Sequence, residues 1–400
     1  MGKYKYRAMK NDGTKVNAEC EGKSKDEVLS MITSNGYYPL KIEEIIESKN
    51  IEFTFMERIK VRDLSIFCRQ MYTMLDAGVP ITNSLALLSE QMSNKKFKKI
   101  IEEMDEDVKK GEMFSSSMKK HPKVFPQLLI SMIESGEVSG NLDEMMLRMS
   151  THFEKESKIA NKVKGAMIYP AVLSVVAVIA VMVIMVVVMP TFIEMFASSG
   201  VELPPSTKIL MGLSGFLSKN IVLVIVIMVA SIVGFNFYKQ TEGGIRNISI
   251  LKLKIPIIRE LNKKIIVSRF TRTLSTLLSS GVPLVQSLPI VSGVLGNTIA
   301  EEAMDKIRER VMRGDGLSGP IGENPIFPPM LSSMIKIGEE SGALDDILNK
   351  TADFYDEEVE QAIQTTTALI EPALIIVMGV VVGFIIMSIM TPMFNMYGQI

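Results

Sequence analysis

The sequence predicts a mainly α-helical integral membrane protein. A small N-terminal ββαβ domain precedes two homologous cytoplasmic helical-bundle modules and three transmembrane helices. Three observations carry this fold class. The chain repeats itself: the stretch from Phe67 to Pro80 reads FCRQMYTMLDAGVP, and from Phe270 to Pro283 it reads FTRTLSTLLSSGVP, with seven of fourteen residues identical. A second pair, MIESGEVSGNLDE from Met132 and MIKIGEESGALDD from Met334, shares eight of thirteen. A duplicated unit of this size sets the whole architecture. Three stretches, 166–189, 209–238 and 369–391, are also long and apolar enough to cross a bilayer, which takes about 20 residues. Finally, the first 46 residues alternate and turn like a small sheet with one helix.

Each element follows from local chemistry. In 1–46, the segments 4–9 and 14–20 flank Asn11-Asp12-Gly13, a hairpin signal. Ser24-Lys25-Asp26-Glu27 fits a capping box that opens a helix, and Asn35-Gly36 closes it. The stretch 38–45 alternates like a third strand. Residues 47–60 form a linker. The first helical module, 61–165, begins with a helix over 62–77 that Gly78 ends, with Pro80 just beyond. Thr82 caps a helix over 83–92, and a charged helix over 95–110 ends at Gly111. After a short helix, Pro126 suits the first position of a helix over 127–134. Gly136 to Gly140 reads as a turn, and Asn141 caps a last helix running toward the first span. The second module, 262–368, repeats this plan through Gly281-Val282-Pro283 and the turn from Gly338 to Gly342.

The basic residues set an orientation. Lys155, Lys158, Lys162 and Lys164 precede the first span, and the linker 239–261 after the second is also basic. The loop 190–208 carries Lys208 alone, and the tail 392–400 carries no base. Excess Lys and Arg mark cytoplasmic flanks. The N-terminus and both modules are therefore expected in the cytoplasm, with the loop and C-terminus outside. The N-terminal residues have no apolar h-region, so no cleavable signal peptide is expected.

Composition and motifs exclude several functions. Net charge is −1, so no global basic field points to nucleic acid. Cys20 and Cys68 fall in different domains without C-x-x-C spacing, which argues against a disulfide framework. The GKS at Gly22-Lys23-Ser24 lacks the leading glycine of a P-loop, since Asn17 stands there. His121 and His152 are the only histidines and have no ligand-spaced partners, so no metal, cofactor or catalytic residue is expected. A channel or pump needs ionisable groups inside its spans, and only Glu371, at the mouth of the third, comes near. Gly379 and Gly383 have the G-x-x-x-G spacing that permits close helix contact.

The recurring polar residues have two readings each. Glu137, Glu339, Asp143 and Asp345 either complement helix N-termini or present acidic groups to a partner or divalent ion. Arg69 and Arg272, in Phe-x-Arg, are either helix-face residues beside a core Phe or docking residues. Glu371 stands where the first copy has Tyr169, and Glu340 where it has Val138. Glu371 either sits at headgroup level or pairs with a base.

Phe-x-Arg with Gly-Val-Pro, Gly-Glu-x-Ser-Gly-x-Leu, Tyr169-Pro170 and Glu371-Pro372 together resemble the GspF/PilC family. The resemblance covers essentially the whole chain. It implies a non-enzymatic inner-membrane platform protein of a type IV pilus assembly machine, or of a type II secretion machine. The implied partners are a hexameric assembly or retraction ATPase, pilin or pseudopilin subunits, other inner-membrane assembly proteins and a second copy of the chain, a dimer being favoured. A small-solute transporter and a membrane-bound enzyme are the competing classes. Solute flux in vesicles would revive the first, and nucleotide turnover the second.

Overall fold

A computed structural model describes residues 2–9, 15–22, 25–45, 59–199 and 203–397. Two compact units emerge, 1–58 and 59–400. The first holds strands β1 (Gly2–Met9) and β2 (Lys15–Gly22), helix α1 (Lys25–Ser34) and strand β3 (Tyr38–Ile45). The antiparallel sheet has the order β2-β1-β3, with a register shift between Arg7 and Ala8. Tyr4 and Ala8 on β1 meet Val28 and Ile32 on α1 in a small core. The expected hairpin turn at Asn11-Asp12-Gly13, the Ser24 cap and most of the 47–60 linker lie outside the described residues.

In the second unit, the first repeat comprises α2 (Val61–Asp76), α3 (Ile81–Gln91), α4 (Lys95–Lys109), α5 (Phe114–Lys119), α6 (Gln127–Ser139) and α7 (Leu142–Val183). After α7, a π-helical turn at Ile184–Val188 leads into α8 (Met189–Ser199). Helices α9 (Pro205–Lys219), α10 (Ile221–Tyr238) and α11 (Glu242–Lys254) connect the copies. The second repeat comprises α12 (Pro256–Leu278), α13 (Leu284–Ser292), α14 (Thr298–Met312), α15 (Ser318–Gly322), α16 (Pro329–Ser341) and α17 (Leu344–Tyr397).

The Gly-Val-Pro motifs have a backbone cause. Gly78 and Gly281 both take φ 80°, which glycine adopts without Cβ strain. Val79 N–H then reaches the Met74 carbonyl at 2.9 Å, and Val282 N–H reaches that of Leu277 at 3.1 Å. Each is a Schellman closure. The prolines stand at the N-caps of α3 and α13, so the cap expected from Thr82 is displaced by Pro80. Pro126 likewise stands at the N-cap of α6 rather than inside it.

Phe67, Phe97 and Phe125 fill the first core, with ring centroids 5.5 to 6.1 Å apart. The second keeps Phe270 against Phe327 at 5.6 Å, and Ala300 takes the place of Phe97. Aromatic pairs of this kind add about 0.5–1.5 kcal/mol beyond area burial. Both cores join in one continuous apolar cluster.

Five expected boundaries change. The Gly136–Gly140 and Gly338–Gly342 stretches are not turns throughout. Each is the last turn of α6 or α16, and only Gly140 (φ 77°) and Gly342 (φ 70°) leave the helix. Asn141 follows without a side-chain cap bond. Secondly, 190–208 is not a plain loop, because α8 carries the chain to Ser199 and α9 starts at Pro205. Pro190 does not stop the helix: it follows the π turn, and α8 runs on from Met189. Thirdly, the span expected at 209–238 breaks at Asn220, leaving Ile221–Tyr238 as the long apolar helix. Fourthly, the 239–261 linker is largely helical, in α11 and the start of α12. Lastly, α17 continues into the expected tail, to Tyr397.

The main consequence is continuity. Among the described residues, three helices are long and apolar enough to cross a membrane, and two of them, Leu142–Phe196 and Leu344–Phe394, begin inside the soluble repeats. The 54 residues of α17 make a rod of about 80 Å, well over the roughly 30 Å apolar bilayer core. The modules thus pass into the spans as continuous helices, with Pro170 and Pro372 standing inside them near where the spans begin. Helix α9 packs beside these rods: Leu210 meets Met185, Met189 and Ile385. Thr207 donates to the Ser388 carbonyl at 2.6 Å, and Ser214 to that of Met185, in the π turn, at 2.5 Å.

Candidate functional site

The repeats meet along α7 and α17. Lys155 reaches Asp353 at 2.7 Å, Lys162 pairs with Glu360, and the Tyr169 hydroxyl donates to Glu371 at 3.2 Å. The order of these contacts makes the rods parallel. Spacings of seven put Lys155, Lys162 and Tyr169 on one helix face. Ile159, Val163 and Ala166 pack between them against Val359, Ala362 and Ile363. Tyr169 and Glu371 occupy equivalent positions in the two copies and meet each other.

Each Phe-x-Arg arginine staples the first long helix of its module to its membrane-bound rod. Arg69 on α2 pairs with Glu154 on α7 at 3.0 Å, and Lys158 shares that carboxylate at 2.8 Å. Arg272 on α12 pairs with Asp353 at 2.7 Å and Asp356 at 2.6 Å on α17, and reaches Asn349 at 3.2 Å. Glu154 and Asp356 are equivalent positions. Their surroundings differ: Arg69 and Glu154 side chains are 47% and 43% exposed, Arg272 and Asp356 only 12% and 19%. The second staple is covered because α7 lies over it, bringing His152, Lys155 and Glu156 around a cavity of about 40 Å³.

The electrostatics follow from this cover. Burial disfavours the charge on Asp353, but hydrogen bonds and charges from Lys155 and Arg272 prevail and hold its carboxyl below the usual range. His152 is lowered to about 4, first by burial and then by the charges of Arg272 and Arg269, so it is neutral at pH 7. Its Nδ1 has no partner among the described residues. Arg269 pairs instead with Glu156 at 3.4 Å.

The acidic residues of the Gly-Glu-x-Ser-Gly motifs divide. The Glu137 carboxylate accepts the Phe114 and Ser115 amides at 2.6 and 3.1 Å. Glu339 accepts the Leu317 and Ser318 amides at 2.5 and 3.3 Å, and the Ser318 hydroxyl at 2.6 Å. Both satisfy amides that a helix start leaves open, at α5 and α15. Asp143 and Asp345 sit half-buried in the first turns of α7 and α17. Glu340 is exposed beside Lys336 at 3.9 Å. Among the described residues, no group of three His, Cys, Asp or Glu could hold a metal ion. Cys68 is buried and unpaired, and burial pushes its thiol up. The glycines Gly379 and Gly383 face open space.

The structure thus gathers Arg272 with four residues the motif reading missed: His152, Lys155, Asp353 and Asp356. The repeat offset held a usable signal, since Glu154 and Asp356 keep an acid at one register. The modules also meet where Ser135 donates to the Ser280 carbonyl at 3.0 Å and Arg148, near the start of α7, to the Ser279 hydroxyl at 2.5 Å. A groove of about 940 Å³ runs between α6 and α13 there.

Two soluble helical repeats, each stapled to a rod that becomes a membrane span, define an inner-membrane protein of duplicated design. The chain belongs to the family of type II secretion system protein F, whose profile matches it twice, over 67–190 and 270–392. Each match contains most of one module and its span. The chain is 37% identical to type IV pilus assembly protein PilC of Thermus thermophilus, over 99% of this chain and 98% of that protein. It is 35% identical to the PilC of Pseudomonas aeruginosa, over 92% and 98%. It is 30% identical to type II secretion system protein F of Aeromonas hydrophila, over 95% and 99%.

Proposed function

We propose that this chain is a non-enzymatic platform protein of a type IV pilus assembly machine, coupling a cytoplasmic ATPase to the insertion of pilin subunits into the filament. The observation that carries the reading is mechanical. Each module runs unbroken into a span, and an arginine ties each module's first long helix to its rod. A displacement applied to the module is carried along this continuous helix toward the bilayer. The greater identity to PilC than to the Aeromonas secretion protein favours a pilus over a secretion filament.

On this reading the modules lie in the cytoplasm and the end of α17 outside; the bases Lys155 to Lys164 and those of α11, which flank the spans on the module side, support it. Arg69, Asp143, Asp345 and Glu340 are the candidates for partner contact. Arg272, Glu137, Glu339 and Glu371 act inside the chain, holding the parts that must move together.

The test inserts Gly-Gly after Lys158 and after Gln361 in the full-length protein. Filament assembly should be lost while the protein stays in the membrane and retains the ATPase in co-purification at low salt. Normal filaments from both insertions would sink rigid transmission. Failure of the wild-type chain to retain the ATPase would sink the coupling role itself.

A further inference from the structure

The cavity of about 40 Å³ at the second staple has walls from both modules. Helix α7 of the first supplies His152, and α12 of the second supplies Arg272 and Thr273. Each of these residues carries a buried polar atom with no hydrogen-bond partner among the described residues: His152 Nδ1, Arg272 Nε and Thr273 Oγ1. His152 is only 8% exposed and Thr273 only 1%. Burying a polar atom without a partner is costly, and folded proteins rarely leave one so. Here three such atoms belong to residues lining one cavity.

All three groups can donate. Arg272 Nε only donates, the Thr273 hydroxyl turns to suit its partner, and a neutral histidine carries its proton on either ring nitrogen. A water molecule accepts two hydrogen bonds through its lone pairs, whereas a halide accepts from every side. The charges agree with an anion. Lys155, Arg269 and Arg272 line the cavity against Glu156 and Asp356, which leaves one positive charge in excess. The other acid nearby, Asp353, is 56% exposed, so solvent screens its field. Burial, and then the charges of Arg272 and Arg269, depress the pKa of His152, so a positive potential reaches its ring. Ile159, Ile265 and Val294 complete the wall, and apolar surroundings strengthen charge interactions inside. Size narrows the ligand further. A water needs about 10–15 Å³ of such space, and organic ligands fill pockets of about 300–1,000 Å³. The cavity lies between the two and suits a single small ion.

We propose that this cavity binds one chloride ion, held by the Arg272 Nε–H, the Thr273 hydroxyl and the Nδ1–H of neutral His152. The ion joins α7 of the first module to α12 of the second and so fastens the seam between them. Only the second staple offers the site. In the first module Arg69 and Gln70 stand in the places of Arg272 and Thr273, and they line an open groove of about 560 Å³. The residue equivalent to His152 is Phe354, which has no donor and is exposed on α17. Solvent reaches Arg69 freely there, so no ion is confined.

The test uses the full-length chain in lipid nanodiscs at fixed pH and ionic strength, with chloride exchanged for gluconate, which is too large for the cavity. The melting midpoint should rise with chloride and level off, as it does when a ligand binds the folded state alone. Uptake of radioactive chloride in equilibrium dialysis should reach one ion per chain. Thr273→Val should weaken that uptake by about tenfold or more, the loss expected for a hydrogen bond to a charged group. His152→Phe, which keeps a ring and removes the donor, should do the same and gives a second reading should Thr273→Val not fold. Gln70→Leu, at the equivalent position of the first module, should leave uptake unchanged. A midpoint indifferent to chloride, or uptake that the folded variants at Thr273 and His152 leave intact, overturns the proposal and makes water the occupant. The readout is ion binding, so it is decided separately from the pilus reading.

Discussion

Arg69 and Arg272 occupy one position in a repeated motif, yet the structure assigns them different energies. Removing Arg272 leaves Asp356, 19% exposed, with only the Ser268 hydroxyl at 2.6 Å and Lys155 at 3.8 Å. Unpairing a buried charge costs about 3–5 kcal/mol. Lys155 and the exposed side of Asp353 offset part of that, so Arg272→Met should cost about 2–3 kcal/mol. Arg69→Met breaks a pair that is nearly half exposed on both sides, and such pairs are worth about 0–1 kcal/mol. The assay is a pair of double-mutant cycles on the full chain, by unfolding in mixed detergent micelles. One cycle uses Arg272→Met with Asp356→Asn, the other Arg69→Met with Glu154→Gln. The expected couplings are about 2 kcal/mol and below about 0.5 kcal/mol. Equal couplings would refute the reasoning, because cover by α7 would then make no difference.

Three further outcomes follow from the packing. A Cβ on Gly338 would lie 2.9 Å from the Leu344 Cα, a backbone atom, so Gly338→Ala should cost about 1–3 kcal/mol in thermal stability. Gly136→Ala should cost less, because its nearest atom is the flexible Met145 Cγ at 2.8 Å and the Leu142 Cα stands at 3.1 Å. His152 has a folded pKa of about 4, below its ordinary 6.5, so the unfolded chain binds the extra proton. Its contribution is complete above pH 6.5 and is lost as pH falls toward 4, by up to about 3 kcal/mol. A melting-temperature profile over that window should flatten in His152→Leu. Thr207→Val and Ser214→Ala each remove a buried hydroxyl bond that holds α9, at about 1 kcal/mol apiece. Both should speed proteolysis near Asn220.

The repeat, the three apolar stretches and the ββαβ unit were legible because each writes a period or a run into the sequence. Helix ends were less so. Pro190 reads as a stop, yet the helix passes it just after a π turn. The Gly-Glu-x-Ser-Gly stretches read as turns because glycine is a poor helix former, but Gly136 and Gly338 are there for close approach to α7 and α17. The staples could be seen from one side only. Phe-x-Arg names the arginine, whereas Glu154 and Asp356 lie 84 or 85 residues further on, in helices with many acids. His152 and Lys155 belong to the site only because α7 crosses onto the second module. That contact leaves no mark in the repeat, because equivalent residues of the two copies sit in different surroundings.

The same contact bears on how force passes through the chain. The two modules share one apolar cluster, and α7 is locked to α17 by Lys155, Lys162 and Tyr169. A push on either module therefore moves both rods. Two independent levers would need a polar, separable interface, and here the seam buries Arg272, Asp356 and a neutral His152. The modules and the two rods are thereby tied into one packed unit. The freedom that remains lies with α10, which has no buried residue and joins the copies from outside the paired rods. The paired rods are thus the part of the membrane region bound most closely to the modules, and α10 is the part bound least.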